Sequence, residues 1–185
     1  MKYISLIIFA ICTLTTYGQS KYDYVNFNKL TEIQGTEYVI ASIESWDKMK
    51  RLKNNYLLFI DTKTGQTNRV EFPNKGYFDE FKQVKIDSLG INKIIVSAQT
   101  IDSDGKKGIN WKDPLQIFVL STDGKDITQL TDDNLFAGNW IINKQSGAII
   151  IKGHYDSNNN GKYDKKDKNE IGIYDLKTLK LIGKI

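Results

Sequence analysis

Past its first two dozen residues the chain alternates short β-branched runs with polar turns. Ile94-Ile95-Val96-Ser97, Ile117-Phe118-Val119-Leu120-Ser121 and Ala148-Ile149-Ile150-Ile151 are apolar runs of strand length, and Ile127-Thr128-Gln129-Leu130 alternates apolar with polar. Ser88-Leu89-Gly90, Thr122-Asp123-Gly124 and Gln145-Ser146-Gly147 punctuate them, and Asp-Gly between two apolar runs is a hairpin signal. Both prolines, Pro73 and Pro114, fall at strand borders, where they remove no ladder hydrogen bond. The pattern predicts strands at Gln83–Asp87, Lys93–Gln99, Gln116–Ser121 and Lys125–Leu130, then at Asn139–Asn143, Ala148–Lys152, Glu170–Leu176 and Leu179–Gly183. No long amphipathic helix is expected after the leader.

The two groups of four are copies of each other. Sliding the sequence by 54 residues without a gap sets Ile94–Ser97 on Ala148–Ile151, Asp102 on Asp156, Asp113 on Asp167, and Ile117–Ser121 on Ile171–Asp175. A weaker earlier copy carries Tyr38-Val39-Ile40-Ala41-Ser42 and Leu57-Leu58-Phe59-Ile60-Asp61, with a connection about four residues shorter. A fixed period of this size marks a repeat architecture. The expected fold is all-β: about three four-stranded antiparallel blade-like repeats, spanning roughly 25–73, 81–131 and 137–185, within one domain over 19–185.

The stretch from Ile117 through Thr122-Asp123-Gly124-Lys125 to Leu130-Thr131 resembles the outer hairpin of a TolB-like β-propeller blade, an apolar strand, Asp-Gly, and a strand ending Leu-Thr. Phe59–Gly65 and Ile173–Thr178 look like variants of it. The Trp-Ser-Pro-Asp-Gly turn common in that family is absent, since Trp140 is followed by Ile141-Ile142-Asn143-Lys144. The resemblance implies an interaction scaffold rather than an active site. Propellers usually close with four to eight blades, and three are countable here. The alternatives are a hidden fourth unit, an open array, a ring completed by two chains, or a sheet stack that is not a propeller. Unpaired sheet edges would invite a protein partner or self-association.

The N-terminus changes the expected compartment. Lys2, the apolar run Ile4–Ile11, and small residues before Gln19 read as a signal peptide over 1–18, too short to span a bilayer. Cys12 follows Ile11, which is not the small residue that lipid-modified leaders carry at that point. The mature chain, about 167 residues, would then hold no cysteine and no disulfide. It is expected to be exported, periplasmic or at the cell surface, with no transmembrane segment. Net charge is +4, or +3 once Lys2 is removed, and is interspersed. The basic cluster Lys48–Lys53 lacks the interleaved aromatics of a nucleic-acid groove, so no nucleic-acid partner is expected.

Candidate chemistry is concentrated in Asp156–Asp167. Oxygen-bearing side chains stand at positions 1, 3, 5, 9 and 12 of this twelve-residue stretch, and Gly161 at position 6 allows the sharp turn. The loop is similar to those of EF-hand and dockerin modules, but strands flank it instead of helices. Asp156, Asn158 and Asn160 would donate side-chain oxygens, Lys162 its backbone carbonyl, and Asp164 an oxygen directly or through water. Asp167 would close the shell. All donors are oxygens, which favours Ca²⁺, and the neighbouring lysines point to weak affinity, roughly 10⁻⁴–10⁻³ M. The competing reading is a solvated Asx-rich turn. A degraded second loop carries Asp102, Asp104, Asn110 and Asp113, with Lys106 where a fifth ligand belongs. The equivalent stretch of the first copy, Trp46–Asn55, is basic and is expected to be a loop that binds no cation.

Enzyme signatures are sparse. His154 is the single histidine, and no Gly-x-Ser-x-Gly elbow is present. Three functional readings follow: a non-catalytic exported scaffold pinned by Ca²⁺, a carbohydrate-binding or carbohydrate-active protein using Trp46, Trp111 and Trp140, or an accessory subunit of an envelope complex. Trp46 and Trp111 are expected on one rim.

Overall fold

The computed structural model describes residues 27–46, 52–103, 105, 108–158, 160 and 164–185. The expected signal peptide, Cys12, Asp104, Lys106, Gly161 and Lys162 lie outside the described residues.

The fold is all-β, and among the described residues there are three four-stranded antiparallel sheets and no long helix. Blade I contains β1 (Phe27–Glu32), β2 (Tyr38–Trp46), β3 (Leu52–Asp61) and β4 (Thr67–Val70). Blade II contains β5 (Tyr77–Ile86), β6 (Ile91–Gln99), β7 (Leu115–Leu120) and β8 (Ile127–Gln129). Blade III contains β9 (Leu135–Asn143), β10 (Ala148–Tyr155), β11 (Lys168–Asp175) and β12 (Leu181–Lys184). In each blade the strands pair in chain order, and the three sheets do not close into a ring.

Two strands start earlier than the apolar pattern indicates. β5 begins at Tyr77 and β9 at Leu135, because a β-bulge between Phe78 and Glu80, and another opposite Lys152 and Gly153, absorb a misplaced residue and let pairing continue. In blade I the expected loop from Trp46 to Asn55 is largely strand. Glu44 pairs with Asn55 and Ser45 with Asn54, so the ladder runs on through polar positions.

Blade II lies between the other two. On one face Ile94, Val96, Phe118 and Leu120 pack against Ile40, Leu57 and Phe59 of blade I. On the other, Ile95, Ile117 and Val119 pack against Ile149, Ile151 and Tyr174 of blade III. The faces correct the gapless slide. Ile94 and Val96 face the preceding blade, and so do Ile149 and Ile151, which is a shift of 55 residues. A shift of 54 would set Ile94 on Ala148, whose side of the strand is opposite, because a one-residue slip exchanges the faces. The slide of 54 holds from the acidic loops onward, so one residue is lost between β10 and its loop, where Thr100-Ile101 is answered by Tyr155 alone.

Polar ties fix the stacking. Gln34 and Gln83 exchange two hydrogen bonds between blades I and II, each 2.9 Å. Asn55 Oδ1 accepts the Phe78 N–H at 2.9 Å. Gly124, with φ +71°, turns the β7–β8 connection flat against the Phe59 ring.

Candidate functional site

Antiparallel pairing brings the acidic loops and the starts of the inner strands to one end of the blades. Gln99 pairs with both Tyr77 and Leu115, and Tyr155 with both Leu135 and Lys168. The β6–β7 and β10–β11 loops therefore share one rim with the starts of β5 and β9.

In the third-blade loop the side chains of positions 1, 3, 5 and 9 converge. Asn158 and Asn160 donate their Nδ2 groups to Asp164 Oδ2 at 3.0 and 2.8 Å. The Asn160 N–H is shared by Asp156 Oδ1 at 3.1 Å and Asn158 Oδ1 at 3.2 Å. Asp164 Oδ1 also accepts the Lys166 N–H at 2.7 Å. That bond, followed by the Asn158 amide, holds the Asp164 carboxyl below the usual carboxylate range. Asp167 behaves differently. It is buried, and its two oxygens accept the N–H groups of Ser157 at 3.2 Å and Asp164 at 2.7 Å, which pulls the two ends of the loop together.

The second-blade loop repeats this arrangement. Asp113 is buried, with Oδ1 accepting from the Ser103 N–H at 2.9 Å and hydroxyl at 2.8 Å. Its Oδ2 accepts the Asn110 N–H at 2.7 Å. Asp102 Oδ1 accepts the Gly105 N–H at 2.8 Å, as Asp156 does from Asn160. The structure thus brings together Asp102, Asn110 and Asp113, and separately Asp156, Asn158, Asn160, Asp164 and Asp167.

These residues fit a cation only in part. Among the described residues, no group of three or more His, Cys, Asp or Glu side chains is arranged to hold a metal ion. A cation at Asp156–Asp164 would rely on two carboxylates and on asparagine oxygens. The asparagine amides would turn to present Oδ1 in place of Nδ2. Asp167, which the spacing places in the shell, has its oxygens directed to loop backbone.

Two further features of this rim have no counterpart in the motif reading. The first is a charged cluster. Glu170, which is buried, accepts from Lys184 Nζ at 2.9 Å. Tyr155 donates its hydroxyl to Asp132 at 2.9 Å and lies 3.3 Å from Glu170. Lys184 also reaches Asp132 at 3.3 Å. The Tyr155 hydrogen bond holds the Asp132 carboxyl low, while burial and then Asp132 push Tyr155 up to about 12. Only one sequence signal pointed here: Glu170 occupies an inward position in an apolar strand.

The second is a groove of about 400 Å³ between blades II and III, lined by Tyr77, Gln99, Trp111, Phe136 and His154 among others. Trp111 is 78% exposed at its mouth. The His154 imidazole stacks on Phe136 with centroids 4.9 Å apart. Burial, followed by the charges of Asp113 and Asp79, pushes Tyr77 up to about 12. Trp140 lies apart from Trp111, packed against the core between the blades with Lys82 over its ring. Trp46 ends β2, so it does not share a loop with Trp111.

No protein-family model and no curated protein matches the sequence. Solved structures of similar shape include acylaminoacyl peptidase from Pyrococcus horikoshii, at 9% identity and a TM-score of 0.48, covering 88% of this chain and 25% of that one. Another is the β-propeller domain of the Trilobed protease from Pyrococcus furiosus, at 13% identity and a TM-score of 0.44, covering 88% of this chain and 44% of that one. A mutant apocarotenoid oxygenase from Synechocystis follows at 14% identity and a TM-score of 0.33, covering 81% and 33%. The chain thus spans well under half the length of each of them.

Proposed function

We propose that this protein is an exported, non-catalytic interaction scaffold whose third-blade loop binds Ca²⁺ as a structural ion. The observation that carries the reading is the convergence of Asp156, Asn158, Asn160 and Asp164 on one small volume, through hydrogen bonds of 2.8–3.2 Å. Four oxygen-bearing side chains drawn from both halves of a loop are what a hard cation needs. With Lys162, Lys165, Lys166 and Lys168 close in sequence, affinity falls in the range of extracellular modules, roughly 10⁻⁴–10⁻³ M. The second-blade loop has the same backbone pins but fewer donors, and binds more weakly.

Calorimetric titration with CaCl₂, paired with thermal melting in CaCl₂ and in EGTA, tests this. Binding is expected together with a higher melting temperature in calcium, and both effects should disappear in Asp156→Ala. No heat of binding and identical melting temperatures would reject the calcium role.

The groove favours a second reading, a saccharide ligand. An exposed indole beside a stacked imidazole and phenyl ring offers flat apolar faces next to the acids Asp79 and Asp113. A glycan array would read it, and silence there would end it.

A further inference from the structure

The three blades stack with a consistent polarity, and this leaves two unlike faces uncovered. Blade II meets blade I with Ile94, Val96, Phe118 and Leu120, and meets blade III with Ile95, Ile117 and Val119. Every blade therefore has a leading face, which receives the blade before it, and a trailing face, which receives the blade after it.

On blade I the trailing face, with Ile40, Leu57 and Phe59, is covered by blade II. Its leading face holds the cross-strand rows Leu30–Ala41–Leu58 and Phe27–Ile43–Tyr56. Ala41, Ile43 and Tyr56 are buried in the centre of this patch, whereas Leu30 and Phe27 stand 67% and 58% exposed. On blade III the leading face, with Ile149, Ile151 and Tyr174, is covered by blade II. Its trailing face carries the row Ile141–Ile150–Ile173, in which Ile141 is 61% exposed.

The uncovered trailing face of blade III is the repeat equivalent of the face that blade II already presents to blade III. The uncovered leading face of blade I is the equivalent of the face that blade II already presents to blade I. One is thus built on the pattern that receives the other, and the geometry of the two existing inter-blade interfaces is a template for a third. The outer edges are poor partners by comparison, since β4, β8 and β12 are four, three and four residues long.

We propose that a second copy of this chain docks here, face on face, with blade III of each copy packed on blade I of the other. The contact is head-to-tail, and a two-fold axis repeats it once, which closes a ring of six blades from two chains. This proposal is independent of whether the loops bind calcium.

The test uses light scattering coupled to size exclusion on the full mature chain and on two variants, Leu30→Lys on the leading face and Ile141→Glu on the trailing face. Both side chains are exposed, so each variant should fold, which circular dichroism checks. The parent is expected at twice the chain mass and each variant alone at the chain mass. A one-to-one mixture of the variants should regain the double mass, because each mixed ring keeps one unaltered interface. A monomeric parent overturns the proposal. So does an open-ended assembly, which would mean that the rotation does not close. Loss of dimer in one variant only overturns it too, because that outcome belongs to a face that pairs with itself.

Discussion

Asp113 and Asp167, 54 residues apart, close their loops in the same way: one carboxylate oxygen takes the N–H of the serine near the loop's start, and the other takes the N–H of the residue three positions upstream. The serines, Ser103 and Ser157, and the upstream residues, Asn110 and Asp164, are also 54 apart. The correspondence therefore holds atom by atom, and it explains why an acid ends both loops even though the second-blade loop has lost its other ligand chemistry.

Asp113→Asn and Asp167→Asn should each destabilise the protein by about 1–3 kcal/mol, because an amide nitrogen cannot accept and one buried N–H is left without a partner. For a chain of this length that lowers the melting temperature by about 2–4 °C per kcal/mol. Thermal unfolding without calcium reads the effect free of any contribution from metal. An unchanged melting temperature would mean that the loops are held by other contacts.

Gly124→Ala should separate blade I from blade II. A β-carbon there would lie 2.5 Å from Phe59 Cδ2, and the backbone at φ +71° disfavours any side chain. Gly65 has a similar φ of +72° but nothing within 4 Å. Gly65→Ala therefore reports backbone strain alone, about 1 kcal/mol, whereas Gly124→Ala adds an overpacking cost of about 1–3 kcal/mol. Urea unfolding of the two variants side by side isolates the contact.

The sheet order was legible because strand parity and Asp-Gly turns are local signals. The rim was legible only in part. Asp156, Asn158, Asn160 and Asp164 were recognisable from their spacing, since a loop that wraps one centre needs a fixed periodicity. Asp167 fits the same spacing, yet its carboxylate faces backbone, and which atoms an oxygen meets is settled by packing around the loop. The Glu170–Lys184–Asp132–Tyr155 cluster gathers residues from three strands and a connection, and no linear pattern encodes that. The gapless slide concealed the residue lost after β10 because Ile on Ala and Val on Ile look equally apolar. Only the faces distinguish a shift of 54 from one of 55.

Trp111 and Trp140 should respond oppositely to removal. Trp111 is 78% exposed, so Trp111→Ala should leave stability within about 0.5 kcal/mol of the parent. Trp140 packs against the core between blades II and III, so Trp140→Ala should cost about 2–4 kcal/mol. If a glycan array finds a ligand, Trp111→Ala should abolish its binding without moving the melting temperature.

Tyr155→Phe should change stability at both ends of the pH scale. At neutral pH the loss of its hydrogen bond to Asp132 costs about 1 kcal/mol. In acid, the folded Asp132 carboxyl is held below its ordinary value by Tyr155 first and by Lys184 after it. A carboxyl lowered by folding contributes stability above its unfolded pKa, and that contribution is lost as pH falls through the lower folded value. Without the Tyr155 hydroxyl, Asp132 moves back toward its ordinary value, and the variant has less to lose on acidification. In alkali the sign is reversed. Tyr155 is raised from 10.0 to about 12, so its contribution is complete below pH 10 and is lost as pH rises toward 12. The variant lacks that contribution, but Tyr77, also raised to about 12, retains its own. The difference in stability between parent and variant should therefore be largest at neutral pH and should shrink toward both extremes, an arch that chemical denaturation at stepped pH would trace. A difference that stays constant across the range would mean that the Tyr155 hydroxyl is not coupled to Asp132 in solution.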